Sequence, residues 1–317
     1  MIVCCGEALI DMLPRLTSAG EQSFAPYPGG AVFNSAIALG RLGAPCAFLC
    51  GVSTDLFGEL LVETLAASRV DTRFVVRSAR PTTLAFVRLD NGQAKYLFYD
   101  ENTAGRMLEE ADLPVLSGEV EAQLFGAISL IPEPSGSAFE MLMRRDHHRR
   151  VTMLDPNIRP GFIPDKASHL ARMDRMIAMA DIVKLSDEDL SWFGEDGPPE
   201  DIARRWLRRG PKLVVITKGS RGATGYTRNH AVSVSPPSVA VVDTVGAGDT
   251  FNAGLLASLH ENGLLTKRAI SDLDETAIRA ALTLGAQAAA VTVSRAGANP
   301  PWRHEIYNAT IAEASAR

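Results

Sequence analysis

With 317 residues, 46% of them hydrophobic and 22% charged, the chain has the composition of an ordinary globular protein and enough length for one large α/β core or two smaller domains. No stretch approaches the roughly 18 consecutive apolar residues of a membrane span. Met1 leads straight into apolar Ile2–Cys5 without a basic region or cleavage site, so no membrane partner and a cytoplasmic location are expected. A net charge of −5 offers no general attraction to a polyanion, and nucleic acid is not an expected partner.

Short, nearly continuous apolar runs at Ile2–Cys5, 46–51, 127–131, 151–154, 182–185 and Leu213–Thr217 have the pattern of strands buried on both faces of a parallel sheet. Between most of them, Ala31–Leu42, 58–68, 137–144, 166–180 and 201–209 place apolar residues three and four apart, as helices do. Strand and helix therefore alternate, which predicts a doubly wound α/β fold with helices on both faces of a mostly parallel sheet. Cys4, Cys5, Cys46 and Cys50 lie in strand-like runs without paired CxxC spacing and read as buried thiols. Arg144, Arg145, Arg149 and Arg150, with His147 and His148 among them, and Arg204, Arg205, Arg208 and Arg209 read as solvated helix faces.

One stretch breaks the alternation. Segments 73–76, 83–89 and 95–99 read as consecutive strands with no helix between them, and Asp90-Asn91-Gly92 supplies a hairpin turn. Such strands cannot join the parallel core by crossovers. They predict a small β lid built mainly from about 12–28 and 71–101, placed over a ligand and compatible with a homodimer through its exposed strands. No repeat or linker appears, so the expectation is one domain, 1–317, with a lid.

The chemistry is concentrated at 241–254, where Val241-Val242-Asp243-Thr244-Val245 gives way to Gly246-Ala247-Gly248-Asp249-Thr250 and then to a helical pattern through Leu255, Leu256 and Leu259. Gly246, Ala247 and Gly248 carry little bulk, so a phosphate can approach the backbone and meet the free N–H groups of a first helical turn. Asp249, in the same turn, can accept the proton of an attacking hydroxyl, and the helix dipole is expected to keep it ionised. Phosphoryl transfer needs only a modest base, since positioning and electrostatics supply most of the rate. Taken alone, Gly-x-Gly-Asp reads equally as a helix cap. No Walker motif and no dinucleotide glycine spacing occurs, so the nucleotide site is of another kind.

The segment 243–251 resembles the C-terminal signature of the ribokinase family of sugar kinases. Pro28-Gly29-Gly30-Ala31-Val32-Phe33-Asn34 resembles that family's N-terminal Gly-Gly motif, and 51–58 is similar to the segment that follows it. The resemblance runs from about Cys5 to Pro301. It implies a doubly wound α/β fold with a small β lid, and ATP-dependent phosphorylation of a small sugar. It also implies sugar contacts at Asp11, Gly29, Gly30 and Asn34, an anion hole at 246–248 and Asp249 as base. Thr217, Gly219 and Gly222 match the family's nucleotide loop, with Gln287 placed near the adenine.

A monovalent cation, expected to be K+, is implied at Asp243, Val245, Thr292, Arg295 and Gly297. The family's Asn-x-x-Glu motif is replaced here by Ser186-Asp187-Glu188-Asp189, which leaves Glu188 or Asp189 to organise Mg2+ through water. Asp155-Pro156-Asn157-Ile158-Arg159-Pro160 resembles fructokinases and 2-keto-3-deoxygluconate kinases, with Arg159 facing a substrate carboxylate or a nucleotide phosphate. Keto-acid kinases resemble one another in a lid Tyr-Arg pair, whereas here Tyr99 precedes Asp100. An acidic residue repels an acid substrate, so D-fructose is the expected substrate. Tyr99 is expected to face the substrate and Glu133 to approach it as a hydroxyl acceptor. The alternatives are a keto-acid kinase, a nucleoside or vitamin kinase, and a noncatalytic sugar-binding regulator.

Overall fold

The computed structural model describes residues 1–90 and 93–306. Strands β1 (Ile2–Cys5), β2 (Leu9–Leu16) and β3 (Gln22–Gly29) lead into helix α1 (Ala31–Leu42). Then come β4 (Cys46–Leu49), β5 (Gly51–Ser53), α2 (Leu56–Ala67), β6 (Val76–Ser78), β7 (Leu84–Asp90), β8 (Gln93–Tyr99) and β9 (Ala122–Gly126). The central part alternates: α3 (Ser135–Asp146), β10 (Val151–Asp155), α4 (Lys166–Met179), β11 (Ile182–Ser186), α5 (Asp187–Phe193), α6 (Pro199–Leu207) and β12 (Leu213–Thr217). Strands β13 (Ala223–Tyr226) and β14 (Ala231–Val234) precede α7 (Ala247–Glu261), α8 (Lys267–Ile270) and α9 (Glu275–Val293).

The main sheet has eight strands in the order β14-β13-β12-β11-β10-β9-β1-β4. Pairing is parallel from β4 to β12 and antiparallel at β13 and β14. The near-continuous apolar strands follow from burial on both faces: in β1, Ile2 and Cys4 pack with α1, α7 and α9, while Val3 and Cys5 face the α3, α4 and α6 side. Helix α9 is long and apolar enough to cross a membrane, but Ile278, Ala281, Leu282 and Ala288 are buried in that first core. All four cysteines are free and buried. From β1 the chain goes outward to β4 and then crosses back to β9, from which β10, β11 and β12 follow on the other side, so the strand order reverses between β1 and β9 and opens a crevice beyond the carboxyl ends of the strands.

A second sheet, β3-β2-β7-β8, forms the lid. It starts at Leu9, earlier than expected, and excludes 71–78, because β6 pairs in parallel with β5 in a separate two-stranded ribbon. Asn91 and Gly92 of the expected hairpin turn lie outside the described residues. The expected strand at 127–131 is shifted: β9 ends at Gly126, and Ala127, at a left-handed φ of 58°, begins a short 3-10 turn.

Candidate active site

Glu7 leaves the carboxyl end of β1 and closes the neighbouring α1 start, for which Gly30 supplies no side chain. Its Oε1 accepts from the N–H groups of Ala31 (2.7 Å) and Val32 (3.3 Å), and Oε2 from Ser129 (3.2 Å). Burial raises its pKa despite those donors. Asp11, on β2, lies against Gly29, where a Cβ would stand only 2.4 Å from its Oδ2, so glycine makes room for the carboxylate. Burial pushes Asp11 up to about 6.

Helix α7 begins at Gly246, whose φ of 78° is left-handed and where a Cβ would meet that of Ala298 at 2.8 Å. No side chain caps this helix. Ala247 donates to the Thr244 carbonyl and Thr250 to that of Gly246, while the N–H groups of Gly248 and Asp249 find no acceptor among the described residues. Gly248 borders a cavity of about 600 Å³ that also includes Ala247, Thr217, Gly219 and Gly222. Its remaining walls are Pro236–Val241 and the Ala286, Ala289, Ala290 and Val293 side of α9. Gln287 does not belong to it. One residue along the helix turns its side chain toward a different cavity, with Thr283 and Arg279, so the expected adenine contact at Gln287 is corrected.

Asp249 is 7% exposed, and its Oδ2 accepts from Asn34 Nδ2 at 2.9 Å, while Ser35 Oγ donates to its backbone carbonyl. Burial pushes its carboxyl up to about 7; the Asn34 hydrogen bond and Lys184 pull down, and Asp155 pushes further up. The expectation that the helix dipole keeps it ionised meets an opposing effect, because burial disfavours the charged form. A carboxylate poised near neutrality is the stronger base for it. Asn34, expected at the sugar, directs its amide to the base.

Beneath the helix start, Lys184 Nζ lies 3.0 Å from Asp155 Oδ2 and 3.0 Å from where a Cβ on Gly248 would stand. Asn252 of α7 donates to the same Asp155 oxygen at 2.6 Å. The sequence reading passed over Lys184, although a lysine inside the apolar run 182–185 was the available signal. Asn157, at a left-handed φ of 40°, lines a small cavity with Asp155 and Asp249. Arg159 is exposed, and its guanidinium donates to the Ile158 carbonyl.

The lid covers a second cavity of about 410 Å³ lined by Glu7, Leu9, Thr83, Phe98, Asp100 and Phe162, among others. Pairing sets Asp11 opposite Ala85 and Ala85 opposite Phe98, so these share the inner lid face. Tyr99 therefore points the other way and packs edge-on with Phe86, which in turn meets Phe24. Phe98, and not the expected Tyr99, lines the cavity, with its ring 4.7 Å from that of Phe162. Asp100 is also not a bare negative charge, since Arg106 Nη1 donates to it at 3.0 Å. Glu133 lines the cavity but pairs with Arg172.

Two loops meet at Asp243, which accepts from Val245 N–H through Oδ1 (3.0 Å) and from Gly297 N–H through Oδ2 (2.9 Å). Thr292 donates to Thr250, while Arg295 pairs with Glu305. Asp189 is buried with both oxygens engaged by backbone: Oδ1 accepts from Ile158 and Oδ2 from Ser186, the second closing a capping box on α5. Glu188 beside it is exposed. No group of three or more His, Cys, Asp or Glu suited to hold a metal occurs among the described residues.

The start of α7 thus brings together free backbone N–H groups, a buried carboxyl whose pKa is raised to about 7 and one wall of the cavity of about 600 Å³, while the polar cleft under the lid is a separate cavity. Comparison with known proteins agrees. Residues 1–305 match the model of the pfkB family of carbohydrate kinases. The chain is similar to a fructokinase of Rhizobium leguminosarum bv. trifolii, at 61% identity over 279 residues, covering 88% of this chain and 86% of that protein. Among solved structures it resembles a fructokinase from Xylella fastidiosa with bound ATP, with a TM-score of 0.90, 28% identity and 99% and 98% of the two chains covered. It also resembles a fructokinase from Vibrio cholerae O395 in a form with fructose, ADP and calcium bound, with a TM-score of 0.83, 26% identity and 97% of each chain covered. The protein is thus an ATP-dependent sugar kinase with the ribokinase-like fold, and it belongs to the pfkB family of carbohydrate kinases.

Proposed function

We propose that this kinase transfers the γ-phosphoryl group of ATP to D-fructose, giving fructose 6-phosphate, with Asp249 as the base. The observation that carries the reading is the position of Asp249: one turn of α7 holds its buried carboxylate against Asn34 of α1 and sets the unpartnered N–H of Gly248 at the wall of the nucleotide cavity. The 61% identity with a fructokinase, and the fructose and ADP held by the Vibrio relative, support the choice of sugar and nucleotide.

In this reading Asp11, Gly29, Gly30 and Asn34 surround the sugar hydroxyls, with Phe98 against its carbon face. A carboxylate accepts from two neighbouring hydroxyls, which suits Asp11. Asp249 accepts the proton of the attacking hydroxyl, and the turn of Gly246, Ala247 and Gly248 meets the charge that develops on the transferred group through the free N–H groups of Gly248 and Asp249. Thr217, Gly219 and Gly222 border the nucleotide, and exposed Arg159 is the side chain offered to its phosphates.

Mg2+, when bound with the nucleotide, neutralises phosphate oxygens. Glu188 is the residue to reach it through water, because the oxygens of Asp189 already hold Ile158 and Ser186 in place. A K+ ion would be held at the Asp243 junction, where hard carboxylate and carbonyl oxygens of Asp243, Val245, Thr292, Arg295 and Gly297 come from the loop before α7 and from the end of α9 with the loop after it. The outer lid face exposes Phe24, Leu97 and Tyr99, at 48%, 60% and 55%, which suits a second copy of the chain.

The test is coupled ADP release with D-fructose, 2-keto-3-deoxygluconate, D-ribose and adenosine, each with and without potassium. The reading requires preference for D-fructose, with phosphate on the C6 rather than the C1 hydroxyl of the product. Turnover confined to the keto-acid or to adenosine would replace it.

A further inference from the structure

We propose that Asp100 sets the charge selectivity of the sugar cleft by masking Arg106, so that the cleft contains a latent site for a carboxylated sugar held closed by one counter-ion. The inference rests on reading this cleft as the sugar site. Both residues line the cavity beneath the lid, and the guanidinium donates to Asp100 Oδ2 at 3.0 Å.

The remaining ionisable groups of the cavity make Arg106 distinctive. Glu7 accepts three backbone N–H groups, and Glu133 is paired with Arg172. Among the described residues lining the cavity, Arg106 is the one cation. Its planar fork matches a carboxylate in bidentate fashion, which is the chemistry an acid sugar needs. With Asp100 holding one arm of that fork through Nη1, an acidic substrate must displace one carboxylate with another in a cavity that also holds Glu7 and Glu133, whereas a neutral ketose meets a neutralised pair. Rejection is therefore built from an added repulsive element, and the attractive one stays in place behind it.

The pair is also separable from the fold. The backbone carbonyl of Asp100, not its carboxylate, holds the turn that follows β8, accepting from Thr103 N–H at 3.2 Å and Thr103 Oγ1 at 3.0 Å. Arg106 likewise anchors the start of α3 through its own carbonyl, which accepts from Ser135 N–H. Their side chains keep 29% and 34% exposure, so either can change without leaving a sealed, unpaired charge.

The experiment compares kcat/KM for D-fructose and for 2-keto-3-deoxygluconate in the wild type, Asp100→Asn, Asp100→Ser and Asp100→Asn/Arg106→Gln. Either Asp100 variant is expected to raise the acid-to-ketose ratio by about tenfold or more, the scale on which an unmasked charge alters recognition, and the double variant to return it toward the wild-type ratio. An unchanged ratio in both Asp100 variants overturns the proposal, as does a gain that survives loss of Arg106. Calorimetric binding of the two sugars gives the same comparison without turnover. A wild type that binds but never phosphorylates D-fructose would thus count against the assigned substrate and leave the masking test readable.

Discussion

Lys184 and Asp155 form a buried ion pair at the carboxyl ends of neighbouring parallel strands, with Nζ 3.0 Å from Oδ2 and pressed against Gly248 at the start of α7. A helix N-terminus repels a cation, so this placement needs compensating anions. Burial pulls the Lys184 pKa down, but Asp155, Asp189 and Asp249 outweigh it and the net direction is upward, keeping the ammonium charged. An arriving phosphoryl group adds to the same compensation. Lys184→Met should lower kcat by about 10²–10³-fold, the usual scale for one preorganised electrostatic donor. It should also lower stability by about 3–5 kcal/mol, because Asp155 is left as a buried unpaired charge. Adding Asp155→Asn should restore most of the melting temperature but not kcat. Recovery of both would reduce Lys184 to a structural role.

Asp249→Asn keeps size and an oxygen acceptor for Asn34 but removes the basic lone pair. Turnover should fall by roughly 10²–10⁴-fold, the range of general-base contributions, while ATP and fructose still bind in calorimetry. A rate within a few-fold of the wild type would move the base elsewhere.

The same carboxyl governs pH dependence. With its pKa raised by burial to about 7, kcat/KM should rise through about pH 6–8 as Asp249 deprotonates and then level. For stability the sign is opposite. A carboxyl whose folded pKa lies above its unfolded value of 3.8 favours the folded state while protonated, and that contribution is lost as pH rises toward about 7. Asp249→Asn should therefore raise the melting temperature at pH 8 and leave it nearly unchanged at pH 4. An identical shift at both pH values would show that the carboxyl titrates normally.

The two lid faces give a paired test. Phe98→Ala should raise the fructose KM by roughly three- to tenfold, as expected for losing an aromatic contact with Phe162 and the sugar face. Tyr99→Ser should leave that KM unchanged and instead weaken self-association measured by light scattering. A reversed pattern would mean that the strand faces are assigned the wrong way round.

How much of this was legible in the sequence depended on whether a signal was local. The segment 243–251 is continuous, so its turn, helix start and acid could be read together, and alternating strands and helices gave the α/β class. Phe98 and Tyr99 differ by one residue on one strand, and the choice between them requires the pairing of Asp11, Ala85 and Phe98 across three strands. Gln287 failed for the helical version of the same reason, since the phase of α9 is set by packing on α7. Asp155, Lys184 and Asn252 come from three separate elements. Only the polar residues within otherwise apolar strands hinted at that cluster.

Asp243 offers the final test, because one carboxylate both joins two loops and is the anionic member of the proposed K+ site. Each of its oxygens accepts a backbone N–H, from Val245 and from Gly297. Asparagine can satisfy only one of them and carries no charge to hold a cation. Asp243→Asn should therefore lower kcat and abolish the difference between assays in potassium and in a large organic cation such as tetramethylammonium. Its effect should concentrate in kcat, since these loops set the position of Gly246 and the N–H donors after it while the sugar residues lie across the crevice. If the variant lost activity yet kept full potassium stimulation, the carboxylate would be a loop fastener alone, and the cation would have to bind elsewhere.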